Sequence, residues 1–243
     1  MTETYTLGVF AYNFPHKKTQ DFLLRLFMEG IPVRLIVAAD LVKLDIPAPS
    51  IRTKIRHSAL FHPRQVAERI GAEFAVAPHN SEEAIELVNR TGVDLAVISG
   101  ARILKAPIIS AVTKGIINLH PGLIPEARGL DAMLWSILRG IPLGVTAHLI
   151  DERIDAGKIL LRREIPLKLD DTLFDLAERL IETQLEMLRL AIESAAACKG
   201  EALPSGTSYN EKMPPKLEEE VVRRLPAYLL SMSEQQHQGG GSA

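Results

Sequence analysis

Short apolar runs alternate with amphipathic, helix-like stretches over residues 5–120, and this alternation most narrows the folds open to the chain. The apolar runs are rich in β-branched residues, which is typical of βαβ units built around a parallel sheet. The sequence therefore predicts an α/β fold with a mostly parallel sheet flanked by helices. The predicted strands are residues 5–12, 33–38, 73–77, 95–99 and 115–120, and the predicted helices are residues 19–29, 64–71 and 81–91.

The pattern of apolar and polar residues changes after residue 129. The sequence predicts two further strands there, residues 144–150 and 158–167, followed by a long helix over 170–197 with apolar residues near a 3.6-residue period. A short piece with a Pro-Pro break and one acidic helix covers residues 206–230. Residues 41–60 are predicted to be a loop insertion, because prolines and basic residues interrupt the pattern. We expect a Rossmann-like main domain over residues 1–200, a C-terminal appendage over 201–234, and a flexible tail over 235–243 that resembles a linker or a remnant of cloning.

Charge and composition exclude several classes of function. The 28 Lys and Arg residues against 30 Asp and Glu residues give a net charge of −2, which argues against a general nucleic-acid binder. No apolar run approaches the roughly 18 residues of a membrane span. The N-terminus lacks the pattern of a signal peptide. We therefore expect a cytoplasmic protein that binds neither nucleic acid nor membrane.

Cysteine and histidine usage argue against a metal site or a disulfide. The single cysteine, Cys198, cannot form an internal disulfide. His57, His62 and His79 lack the spacing that metal ligands usually show. No metal is predicted.

Polar residues are concentrated in G-I-I-N-L-H-P-G-L-I-P-E-A-R-G, residues 115–129. Asn118 and His120 are two apart, so on a strand they project from the same face. The prolines and glycines that follow place them at the carboxyl end of a parallel strand, where open α/β sheets bind ligands. The alternative is that both side chains simply bond the backbone at the strand end.

A second polar stretch is G-V-T-A-H-L-I-D-E-R-I-D-A-G, residues 144–157. Thr146 and His148 share a strand face, and Asp155 precedes a glycine in the following turn. A carboxylate near His120 would favour the imidazolium, and an amide with a charged imidazole can stabilise an oxyanion in acyl transfer. Ordinary turn chemistry is the alternative for both Asp151 and Asp155, and for Asp151 it is the preferred interpretation.

These two stretches together, N-L-H-P-G-L-I-P-x-x-R-G and then G-V-T-A-H-L-I-D-x-x-I-D-A-G-K-I-L, resemble the catalytic region of the folate-dependent formyltransferases. That family includes glycinamide ribonucleotide transformylase, the catalytic domain of methionyl-tRNA formyltransferase and the amino-sugar N-formyltransferases. The resemblance implies Asn118, His120 and Asp155 as catalytic residues, 10-formyltetrahydrofolate as formyl donor, and a primary amine as acceptor.

The same resemblance assigns the folate to two loops. The first is S-G-A-R-I-L, which makes Arg102, Ile103 and Leu104 candidates, although the family often has one more residue before Arg-Ile-Leu. The second is the loop that carries Asp151 and Ile154. His148 also matches a family histidine near the site, and a purely structural role for it stays open.

The acceptor side departs from the purine enzymes of the family, because V-F-A-Y-N-F-P-H-K-K-T has no glycine between Val9 and Thr19. The glycinamide ribonucleotide enzymes hold a phosphate there on backbone N–H groups of a Gly-rich loop. Candidates for contacting an anionic acceptor are Asn13, His16, Lys17 and Lys18. The alternative for the two lysines is that they are solvated at the start of a helix.

The tail after Lys199 is short and not basic, which disfavours the methionyl-tRNA enzymes. We expect a small-molecule amine as acceptor, first of all a nucleotide-linked amino sugar, and a homodimer stays open. The alternatives are phosphoribosylglycinamide formyltransferase and formyltetrahydrofolate hydrolase. The hydrolases usually carry an extra N-terminal domain, whereas this chain starts directly at its first predicted strand. A nicotinamide-binding protein would show G-x-G-x-x-G after that strand, and F-A-Y-N-F-P lacks it.

Overall fold

A computed structural model describes residues 4–43, 48–152, 157–203 and 209–239, with side chains described up to residue 234. Its strands are β1 (Leu7–Tyr12), β2 (Val33–Ala39), β3 (Glu73–Val76), β4 (Leu95–Ile98), β5 (Gly115–His120), β6 (Gly144–Leu149), β7 (Lys158–Glu164) and β8 (Glu201–Ala202). Its helices are α1 (Lys17–Met28), α2 (Pro63–Ile70), α3 (Glu82–Thr91), α4 (Ala106–Ala111), α5 (Ala132–Arg139), α6 (Leu173–Ala196) and α7 (Pro215–Gly239).

All eight strands form one sheet in the order β3-β2-β1-β4-β5-β6-β7-β8. The first five strands pair in parallel, and β6, β7 and β8 continue the sheet antiparallel. The strand order reverses between β1 and β4, and ligands bind at such switch points, outside the carboxyl ends of the strands. The predicted Rossmann-like, mostly parallel sheet flanked by helices is confirmed.

The two faces of the sheet are covered by different helices. One core cluster joins the odd-numbered residues of β5, such as Ile117 and Leu119, to α1, α5, α6 and α7. The other joins Ile116 to α3 and α4. Because side chains alternate along a strand, Asn118 and His120 lie on the same face as Ile116.

Two helices lie where the sequence predicted none. The helix α4 spans six residues with a proline in its first turn, which is too short for a readable period. The helix α5 begins after Asp131, whose φ of 50° places it in the left-handed region, so no ordinary N-cap signal precedes it. Burial of Leu134 and Ile137 against the main core stabilises α5 instead.

The predicted C-terminal appendage contributes to the same sheet and core. The strand β8 pairs with β7, and the buried hydroxyl of Tyr228 in α7 donates to the carbonyl of Ile141 at 2.9 Å. The helix α7 ends at Gly239, inside the stretch expected to be a flexible tail, and residues 240–243 lie outside the described part.

The predicted loop insertion contains neither helix nor strand over its described residues, 41–43 and 48–60. Its second part is tied to the rest of the molecule by Ser50, whose hydroxyl donates to Glu218 at 2.8 Å, and by Arg52, which lies over the ring of Phe174. Within the described chain, we find no helix with the length and apolar character needed to cross a bilayer.

Candidate active site

Two neighbouring strands carry four polar side chains on one face. In the antiparallel register of β5 and β6, Asn118 lies opposite His148 and His120 lies opposite Thr146. The side-chain N–H of Asn118 donates to Nε2 of His148 at 3.3 Å, and His148 is fully buried. The predicted juxtaposition of Asn118 and His120 at the carboxyl end of a parallel strand is therefore observed.

The imidazole of His120 is held by the loop that follows β5. Its Nε2–H donates to the carbonyl of Ala127 at 2.7 Å, and the side chain is only 4% exposed. Gly122 lies against this bond, because a Cβ there would be 2.5 Å from the Ala127 oxygen and 2.8 Å from His120 Nε2. A glycine at 122 is thus needed for the imidazole to occupy its position.

Thr146 fixes the turn between His120 and Ala127. Its hydroxyl donates to the carbonyl of Gly122 at 2.8 Å and accepts from the backbone N–H of Ile124 at 3.0 Å. Thr146 is fully buried, so both bonds are shielded from water. The turn contains a cis peptide bond between Ile124 and Pro125.

The loop after β4 lies beside this face. The side chain of Asn80 clamps it by donating to the carbonyl of Ile103 at 2.9 Å and accepting from the N–H of Lys105 at 2.8 Å. Of the predicted folate residues, Leu104 is buried, whereas Ile103 is 66% exposed. Arg102 donates to the carbonyl of Val42 at 2.9 Å.

The second predicted folate loop is described only at its two ends. Asp155 and Ile154 lie outside the described residues, and Asp151 is partly exposed. The loop closes at Gly157, whose φ is 101° and whose Cβ, if present, would be 2.1 Å from the carbonyl oxygen of Leu149. This neck brings both ends of the loop together.

The carboxyl end of β1 carries the predicted acceptor residues. The amide N–H of Asn13 donates to Asp40 at 2.7 Å, while its buried Oδ1 has no hydrogen-bond partner among the described residues. The ring of His16 packs edge-on against Tyr12 and pairs through Nδ1 with the Thr19 hydroxyl at 2.9 Å.

Electrostatics at this end of β1 keep His16 neutral. Burial lowers its pKa to about 4, and the positive charges of Lys18 and Lys54 act in the same direction. Lys54 belongs to the loop insertion, so that insertion contributes positive charge to the edge of the sheet where β1 ends.

Of the two adjacent lysines, the structure directs Lys18 rather than Lys17 toward β5. Lys17 pairs with Asp21 at 2.6 Å and Glu178 at 3.5 Å. Burial acts to lower its pKa, but these partners outweigh it and the pKa is raised. Lys18 donates to the carbonyl of Leu119 at 3.2 Å, between Asn118 and His120. The helical phase set by buried Thr19 and Phe22 was the signal that could have distinguished them.

The described residues hold no group of three or more His, Cys, Asp and Glu side chains arranged to bind a metal ion.

The sequence profile of a family described as Formyl transferase matches residues 14–192. Among curated proteins, the GDP-perosamine N-formyltransferase of Brucella melitensis is 35% identical over 120 residues, which cover 49% of this chain and 46% of that protein. The chain spans 14% to 46% of the length of the first curated relatives it matches.

Solved structures share the fold. Glycinamide ribonucleotide transformylase 1 from Symbiobacterium toebii superposes with a TM-score of 0.61 at 22% identity, over 84% of this chain and 96% of that one. The formyltransferase PseJ from Anoxybacillus kamchatkensis, in complex with UDP-4,6-dideoxy-4-formamido-L-AltNAc and tetrahydrofolate, superposes with a TM-score of 0.53 at 24% identity, over 84% of this chain and 85% of that one.

Proposed function

The chain belongs to the formyl transferase family, and we propose that it moves the formyl group of 10-formyltetrahydrofolate onto a primary amine of a small molecule. The resemblance read from the two sequence motifs is thereby confirmed at the level of the family. The observation that carries the proposed activity is the pairing of Asn118 and His120 on one sheet face, inside the matched range and beside the buried His148.

In formyl transfer the amine nitrogen attacks the formyl carbon, and the formyl oxygen gains negative charge. Hydrogen-bond donors fixed before the reaction stabilise this charge without having to reorganise. Asn118 is fixed by His148, and His120 is fixed by the carbonyl of Ala127. We assign both side chains to the formyl oxygen.

Completion of the transfer requires a proton to move from the attacking amine to N10 of the folate as the old C–N bond breaks. By the family resemblance we assign this proton transfer to Asp155, directly or through water, together with the task of keeping His120 charged.

The loop after β4 suits a flat ring that presents both hydrogen-bonding edges and apolar faces. Asn80 fixes the backbone of Ile103 and Lys105, while the exposed Ile103 side chain offers an apolar flank. A rigid loop is preorganised for its ligand and therefore loses little conformational entropy on binding. We propose that Arg102, Ile103, Leu104, Asp151 and Ile154 hold the folate, largely through backbone groups.

We propose a nucleotide-linked amino sugar as the acceptor, bound near the carboxyl end of β1. Asn13 offers a buried carbonyl oxygen, and Lys18 and Lys54 supply positive charge close to His16. A phosphate-bearing acceptor would meet that positive charge. The relative that acts on GDP-perosamine by its name, and the fold neighbour bound to a UDP-sugar, support this choice.

Release of tetrahydrofolate from 10-formyltetrahydrofolate tests the proposal. The protein is incubated with the folate alone and then with each of a panel of amines, including nucleotide-linked amino sugars and glycinamide ribonucleotide. We expect release only with an amine, and fastest with a nucleotide-linked amino sugar. Preference for glycinamide ribonucleotide would replace the acceptor, equal release with water would indicate a hydrolase, and no release would contradict the proposed activity.

A further inference from the structure

The loop that contains Ala127, whose carbonyl accepts the His120 hydrogen bond, is itself hydrogen-bonded to the C-terminal segment. We call residues 121–131 the His120 loop and residues 209–218 the C-terminal strap. The N–H of Asn210 in the strap donates to the carbonyl of Arg128 at 2.8 Å, and its carbonyl accepts from the N–H of Leu130 at 2.9 Å. Backbone bonds therefore join the strap to both sides of Gly129.

Gly129 makes this close approach possible. Its φ is 90°, in the left-handed region, and a Cβ at this position would be 2.3 Å from the carbonyl oxygen of Asn210. Both the backbone conformation and the contact therefore require glycine. Arg128 and Gly129, the Arg-Gly pair of the first motif, thus lie directly against Asn210, about eighty residues further along the chain. The glycine lets the two backbones approach closely enough for these hydrogen bonds.

Asp131 adds further contacts between the His120 loop and the C-terminal strap. Its carboxylate accepts from Lys212 Nζ and from the N–H of Met213, both at 2.8 Å. Its φ of 50° is unusual for a residue other than glycine. Such a conformation persists only where surrounding contacts hold it, and strained residues of this kind concentrate near functional sites.

The other end of the strap is anchored by a buried carboxylate. Glu218 is fully buried and accepts from Lys212 Nζ at 2.6 Å and from the N–H of Ile51 at 3.3 Å, in addition to the Ser50 hydroxyl. Burial acts to raise the pKa of Glu218, but its bonds to Lys212 and Ser50 outweigh burial and lower it. A continuous chain of charged contacts therefore runs from Asp131 through the strap to the loop insertion.

We propose that the C-terminal strap positions the imidazole of His120, with Asp131 as the positioning residue. The carbonyl that holds His120 belongs to Ala127, and the next carbonyl along the chain, that of Arg128, is held by the strap. Displacing the strap would release the segment from Ala127 to Asp131, and with it the acceptor of the His120 bond. The effect on turnover rests on the function proposed above, whereas the effect on His120 does not.

The test is the variant Asp131→Gly, which removes the carboxylate and relieves the backbone conformation. Its readouts are the ring-nitrogen NMR signals of His120 and the turnover of 10-formyltetrahydrofolate with the best amine of the panel. We expect the Nε2 signal to lose its hydrogen-bonded shift and kcat to fall by up to about a hundredfold, with a smaller change in KM. Asp131→Asn should recover most of both, because asparagine tolerates this φ and keeps an oxygen for Met213.

Cys198→Gly is the matched control, since Cys198 also has a positive φ, 52°, but is exposed beyond the end of α6. It should leave His120 and kcat unchanged. An unchanged His120 signal in Asp131→Gly overturns the proposal, whether or not kcat falls. If Asp131→Gly does not fold, Lys212→Met decides, because it removes the side-chain donor shared by Asp131 and Glu218. A changed Nε2 signal in Lys212→Met supports the proposal, and an unchanged one overturns it. A wild-type protein without transferase activity would reject the proposed function and leave the NMR test intact.

Discussion

Replacing Gly122 with alanine inserts one methyl group against the hydrogen bond between His120 and the carbonyl of Ala127. The added Cβ would lie 2.5 Å from the Ala127 oxygen, 2.8 Å from His120 Nε2 and 2.9 Å from the Cβ of Ala132. Ordinary contacts between such atoms are roughly 3.5 Å or longer. The Ala127 carbonyl and the imidazole must therefore separate from residue 122 by about 1 Å.

The expected cost has two parts. Overpacking of this kind destabilises a fold by about 1 to 3 kcal/mol. A misplacement of about 1 Å near a reacting group lowers turnover by roughly a hundredfold. We expect Gly122→Ala to show both effects, measured as the free energy of unfolding in urea and as kcat for tetrahydrofolate release.

Gly140→Ala separates the two effects. Gly140 has a φ of 67° and open space around a built Cβ, so alanine there strains only the backbone. We expect a loss of about 1 to 2 kcal/mol of stability with turnover unchanged. Wild-type stability and turnover in Gly122→Ala would refute the argument that this glycine gives His120 its place.

Further predictions concern pH and the loop after β4. The pKa of His16 falls from 6.5 to about 4 on folding, so between these pH values the unfolded chain binds a proton that the folded chain does not. The free energy of unfolding should therefore decrease as the pH falls from 6.5 to 4. Urea titrations should show a weaker dependence of this free energy on pH in His16→Gln. The pKa of Glu218 lies below its ordinary 4.5, so the stability that the ionised carboxylate adds to the fold is present above pH 4.5 and is lost as the pH falls below it. Glu218→Gln should therefore be less stable than wild type at pH 7 and should lose less stability as the pH falls below 4.5. Asn80→Ala frees the Ile103 loop and should weaken folate binding by calorimetry while kcat stays near wild type, and unchanged affinity would contradict that role.

Local periodicity explains which parts could be predicted. The five parallel strands follow from short apolar, β-branched runs that alternate with amphipathic segments. The shared face of Asn118 and His120 follows from the two-residue period of side chains along a strand. The same reasoning could not identify α4, which is shorter than two helical turns. The place of Asp155, in the loop between β6 and β7, stays a prediction, because that residue lies outside the described part of the chain. Sequence reasoning also named Lys17 and Lys18 together as candidate acceptor contacts, and in the structure Lys17 pairs with Asp21 and Glu178.

The contacts between the His120 loop and the C-terminal strap are non-local, and no period in the sequence indicates them. Gly129 meets Asn210, and Asp131 meets Lys212, across about eighty residues of sequence. The sequence showed an Arg-Gly pair and an acidic helix, but their relation depends on how α7 packs against α5. The C-terminal segment was therefore expected to be an appendage, whereas in the structure it borders the candidate active site.

The most direct test is a single-turnover comparison of wild type with Asn118→Ala, using 10-formyltetrahydrofolate and the best amine of the panel. Loss of one oxyanion donor typically lowers the chemical rate by about a hundredfold to a thousandfold. We expect that loss together with unchanged folate affinity in a protein that still folds. Its unfolding free energy should fall by about 1 to 3 kcal/mol, because the hydrogen bond to the buried His148 is lost. Amine-dependent formyl transfer at the wild-type rate in Asn118→Ala would contradict the account.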